Sequence, residues 1–232
     1  MKFKPSPQFT EFNVALIAER MNANLVNETI LRKQGIIEAS DVAIPTSTLL
    51  SPFHSRLNFE NGLSIIADPT SLTISQLTSA SLTPEENRCP RIAEDFINTI
   101  NFQTENPNFN SIGIFFKATI DYPQECPATR PMVRFFADCA DWARFGTELP
   151  EFRVQVLYRS KPINKIIRVD IEGVQNSEGN ALTGELYHAN FRHEIPTDNP
   201  ALTATVISEI LGTWEDDLSE FSELISRYCA MK

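Results

Sequence analysis

The sequence predicts an α+β fold: antiparallel sheets packed by helices, with a long amphipathic helix at the C-terminal end. Three observations predict it. Apolar and polar residues alternate between Phe152 and Ile171, and the dipeptide Asn61-Gly62 separates two short alternating runs. From Leu202 to Tyr228, apolar residues recur at every third or fourth position. Alternation at period two gives a strand one apolar side, a three-to-four spacing gives a helix one apolar stripe, and Asn-Gly suits the tight turn of a hairpin.

In chain order, Phe12 to Ala18 is the first apolar run, read as a strand that gives other strands an edge partner. Residues 21 to 55 form a long connection, with a short helix over Glu28 to Ile37 ended by Gly35. Arg56 to Glu60 and Leu63 to Ala67 flank Asn61-Gly62 as a hairpin, and Asp68-Pro69 turns the chain into a third strand at Ser71 to Ser75. Pro90 opens a helix with Ile92, Ala93, Phe96, Ile97 and Ile100 on one face. Ser111 to Ile120 is apolar on both sides for most of its length, as an internal strand is.

Pro123, Pro127 and Pro131 punctuate a connector, which suggests subdomains 1–130 and 131–232, separate or fused through one sheet. Met132 to Phe145 reads as a helix ending at Gly146. The second half then offers a meander. Phe152, Val154, Val156 and Tyr158 share one side of its first strand, and Ile167, Val169 and Ile171 share one side of the next. The third strand spans Leu182 to Glu194. Asn199-Pro200 is a helix start, and the stripe of Leu202, Val206, Ile210, Trp214, Leu218, Phe221, Ile225 and Tyr228 needs an apolar partner surface. Gly212 permits a kink within it.

Thirty acidic against twenty basic residues give a formal charge of −10, with 42% hydrophobic residues, enough for a sizeable core. That balance disfavours nucleic acid and anionic membranes as partners, since both reward clustered Lys and Arg. The apolar run Val14 to Ala18 is too short for a signal core or a membrane span, so a cytoplasmic location is expected. Cys89, Cys126, Cys139 and Cys229 contain no close pair and read as reduced thiols. No cofactor is expected, because phosphate-loop, dinucleotide, nucleophile-elbow and His-Glu-x-x-His motifs are all missing.

Asp138, Cys139 and Asp141 read as a solvated helix face, since neighbouring carboxylates oppose a reactive thiolate. His188 and His193, five apart, fall on opposite sides of a strand and cannot share a metal. Two functional classes follow. The first is a non-enzymatic protein-interaction or assembly module, with a protein partner or a homo-oligomer, docking on the acidic helix face of Glu215, Asp216, Asp217, Glu220 and Glu223. The alternative is a small-ligand-binding protein or enzyme with a pocket between the halves, lined by Arg153, Arg168, His188 and Arg192.

Overall fold

The computed structural model describes residues 6–77, 82–99, 107–121, 153–160, 165–175, 182–195 and 200–230. Among them the alternating runs join into one antiparallel sheet of nine strands. These are β1 (Gln8–Ala18), β2 (Leu49–Leu50), β3 (Ser55–Asn58), β4 (Leu63–Asp68), β5 (Ser71–Leu77), β6 (Phe109–Asp121), β7 (Arg153–Ser160), β8 (Lys165–Gln175) and β9 (Leu182–Glu194). Their order across the sheet is β2-β3-β4-β5-β1-β6-β9-β8-β7. Two meanders therefore flank a central pair, β1 and β6, and the pairing of β6 with β9 fuses them. The proline-rich connector and the helix expected over residues 132 to 145 lie outside the described residues, as do Asp138, Cys139 and Asp141.

β1 is an internal strand, hydrogen-bonded to β5 on one side and β6 on the other. Its side chains Phe12, Val14 and Leu16 are buried, as are Ile112, Ile114 and Phe116 of β6 and Tyr187, Ala189 and Phe191 of β9. The β3–β4 hairpin turns at Asn61-Gly62 as expected, with Gly62 at a φ of 82°, a region glycine enters without steric cost.

The described α-helices are α1 (Glu28–Lys33), α2 (Cys89–Thr99), α3 (Pro200–Gly212) and α4 (Trp214–Ala230), with short 3-10 turns at Ala23–Leu25, Pro45–Ser47 and Pro84–Glu86. The expected single C-terminal helix is two helices, broken at Thr213, whose hydroxyl donates to the carbonyls of Glu209 and Ile210. The break redirects the chain: α3 packs on α2, and α4 lies across β6 and β9. In α3 the inward residues are Thr203, Ile207 and Leu211, while Leu202 is 58% exposed. That helix is apolar on most sides, so spacing alone leaves its rotation open.

Phe221 of α4 stacks on Phe116 at 5.9 Å and meets Phe9 at 6.2 Å, and Trp214 meets Phe12 edge-on at 6.0 Å. The C-terminal stripe thus finds its partner in the central pair of strands and β9, beyond the second meander alone. A separate polar anchor holds the long connection. Buried Asp41 accepts two hydrogen bonds from Arg88 at 2.8 and 3.0 Å, one from Asn61 at 2.7 Å and one from the Glu38 backbone at 2.7 Å.

Candidate functional site

The register of the second half aligns its side chains in rows. On the side of the sheet away from α4, four rows cross β6, β9, β8 and β7: Gly113–Arg192–Ile166–Arg159, Phe115–Asn190–Arg168–Leu157, Lys117–His188–Asp170–Gln155 and Thr119–Leu186–Glu172–Arg153. Arg192, Arg168 and His188 therefore share one side of the sheet, in consecutive rows, and Arg153 holds a register position in the fourth row. Arg168 and His188 are diagonal neighbours, a spacing of about 7–8 Å. Arg192 and Arg153 occupy opposite corners, separated along the strands by about 20 Å at 3.4 Å per residue. The four positions span a face rather than converging on one small molecule.

Charge on this face is locally organised. Asp170, 7% exposed, accepts from Gln155 at 2.7 Å and from Arg168 Nε at 2.9 Å. Burial, together with the ammonium of Lys117, pushes His188 below the usual histidine value, so it is neutral at pH 7. Lys117 lies 3.8 Å from Glu11. The amide oxygens of Asn13 and Asn190, in the row on either side of Phe115, are buried without a hydrogen-bond partner.

The helix side carries a second cluster. His193 Nε2 lies 2.7 Å from Asp217, and Lys165 Nζ donates to Asp217 at 3.0 Å and to Glu220 at 2.7 Å, 5.4 Å from the centre of the Phe191 ring. Burial alone would lower the pKa of Lys165, but the hydrogen bonds to Glu220 and Asp217 outweigh it and hold it above the usual value. The sequence set Asp217 and Glu220 among the solvated carboxylates of the last helix; in the fold Asp217 is 3% exposed and both clamp α4 to the sheet. Glu223 pairs with Arg227, and Glu215 and Asp216 are exposed. His188 and His193 fall on opposite sides of the sheet, and no group of three or more metal-ligating side chains occurs among the described residues.

Cys229 Sγ lies 3.6 Å from the Tyr187 hydroxyl. Cys89 is buried against the Phe12 carbonyl, and burial pushes its pKa far above the usual thiol value, which makes it unreactive. A depression of 410 Å³ lies by Glu28, Arg32, Val42, Ala43, Pro45 and Thr48. Its one cation, Arg32, is already committed to Glu28 and to the carbonyls of Glu38 and Asp41.

β7 differs from the rest of the sheet. It is the terminal strand among the described residues, eight residues long and paired only with β8. On the helix side, Ile167, Val169 and Ile171 of β8 are buried, whereas Val154 and Val156 of β7 are half-buried and Tyr158 is 43% exposed. On the other side Leu157 is 58% exposed. Among the described residues the cover provided by the helices thins out here, and β7 keeps an apolar helix side and an exposed Leu157 among polar neighbours, with one row of backbone groups unpaired by a further strand.

No protein-family model, curated protein or solved structure matches the chain. No helix among the described residues is long and apolar enough to cross a membrane.

The sequence left Lys165, Arg159 and Asn190 without a role in any site and used His193 only to exclude a metal shared with His188. One signal was present: residues 152 to 169 contain five basic residues, Arg153, Arg159, Lys161, Lys165 and Arg168, and no acidic one, in a chain where acids outnumber bases. That stretch contains β7 and the start of β8.

Proposed function

We propose that the protein is a non-enzymatic interaction module that recruits a protein partner through the terminal strand β7. The observation that supports this reading is the long, apolar-sided outer strand with Leu157 and Tyr158 exposed. Edge strands are usually shortened, charged or covered, because an open row of N–H and C=O groups templates pairing with another chain. β2 at the opposite edge follows that rule at two residues; β7, at eight residues with Leu157 and Tyr158 exposed, follows it only through its two arginines. The test is cross-linking of the protein in its native source, with mass-spectrometric mapping of the joined residues. Cross-links from a stoichiometric partner are expected at and around β7 and are lost in Leu157→Asp. A partner mapped elsewhere, or no partner beside a clear thermal shift with a metabolite, overturns the reading.

A second reading, a small-ligand receptor, draws on the partnerless amide oxygens of Asn13 and Asn190 near Lys117 and His188. Such a ligand would offer hydrogen-bond donors to both amides. A screen of metabolites by thermal shift tests it, with the response expected to disappear in Asn190→Leu.

A further inference from the structure

Resting on the interaction reading, we infer that the partner presents an extended segment that adds to β7 as a tenth strand, with carboxylates on one side and apolar residues on the other. The strand geometry and the charge pattern both point to this occupant. An added strand runs about 4.8 Å from β7, and its alternate side chains fall on opposite sides of the sheet. On the helix side it meets Val154, Val156 and Tyr158, which already form an incompletely covered apolar ledge. On the other side it meets Arg159, which is exposed and has Arg168 diagonally behind it on β8.

A carboxylate opposite Arg159 gains a cation whose surroundings hold no competing acid on the same strand, since β7 carries none. A second copy of this chain is a poorer occupant. It brings the same arginines against themselves and adds its own formal charge of −10. A nucleic acid offers nothing to the backbone row of β7 that is unpaired among the described residues, nor to the apolar ledge.

The experiment is fluorescence anisotropy on the full-length protein at low ionic strength, with two short labelled peptides, one alternating valine and glutamate and the other alternating valine and lysine. The acidic peptide is expected to bind and the basic one not. Binding is expected to weaken by about tenfold in Arg159→Glu, equivalent to about 1.4 kcal/mol, and to be lost when the acidic peptide is N-methylated on alternate residues. Arg227→Glu, on the exposed side of α4, is the control for overall charge and is expected to leave binding unchanged.

Equal binding of both peptides, no binding of either, an Arg159→Glu variant that binds like the parent, or displacement of the acidic peptide by single-stranded oligonucleotide each overturns the inference. A concentration-dependent dimer abolished by Leu157→Asp also overturns it, in favour of self-pairing. If neither peptide binds while native cross-links still map to β7, the acidic-strand inference fails and the interaction reading stands.

Discussion

Asp41 shows how a single carboxylate can fix a long connection that hydrophobic patterning leaves unspecified. Four hydrogen bonds converge on a side chain with no solvent exposure. Burial raises its pKa, but Arg88, the Glu38 backbone and Asn61 outweigh it, so the folded value falls below the ordinary 3.8. A depressed carboxyl contributes its full stabilisation above the unfolded value and loses it as pH falls through the folded one. Arg88→Met is expected to cost about 3 kcal/mol at neutral pH, because it strands a buried charge. The stability gap between parent and Asp41→Asn should narrow below about pH 3.8 in acid titrations followed by circular dichroism. Gly62 is a second single-residue constraint. A Cβ there would sit 2.0 Å from the Leu77 carbonyl oxygen at a φ of 82°, so Gly62→Ala should cost at least about 2 kcal/mol in urea unfolding.

At the scale of elements, legibility followed the cleanness of each period. The hairpin around Asn61-Gly62 and the alternating strands β7 and β8 were readable because one side is apolar and the other polar, and turn chemistry fixed where they end. α3 was not: Leu202, Val206, Ile207, Ile210 and Leu211 surround it, so the sequence carried no phase, and Leu202 proved exposed. The break at Thr213 was hinted at only by Gly212. A side chain at Gly212 would meet open space, so Gly212→Ala should stabilise the protein by about 0.5 kcal/mol and leave the break in place, measured by chemical denaturation. Phe221→Ala should cost about 4 kcal/mol in the same assay, since it empties a fully buried site between Phe9 and Phe116. The candidate site was half legible. The shared side of Arg168 and His188 follows from strand parity, whereas the Lys165–Asp217–His193 clamp joins residues from β8, β9 and α4, and no local pattern announces such a long-range pairing. An acidic helix read on its own assigned Asp217 to solvent, because the basic groups that bury it lie 52 and 24 residues away in sequence.

For the whole molecule, the sheet is protected unevenly. Among the described residues the helices cover its centre, one edge strand is two residues long, and the other is eight residues long with its apolar side toward the helices. Leu157→Asp is therefore expected to change the unfolding free energy by no more than about 0.5 kcal/mol in urea unfolding, so that its loss of partner cross-links would not reflect a loss of fold. The position of β1 has a consequence for how the chain acquires its shape. The earliest of the described strands in the chain is a middle strand, and its neighbours β5 and β6 lie roughly sixty and a hundred residues further on. As the polypeptide leaves the ribosome, Phe12, Val14 and Leu16 emerge well before the surfaces that bury them, whereas the β3–β4–β5 meander can form from contacts close in sequence. Topologies dominated by distant pairings fold slowly and leave early apolar segments open to aggregation. β1 is thus the segment a nascent-chain chaperone would have to shield, until β6 is translated and the two halves of the sheet can close around it.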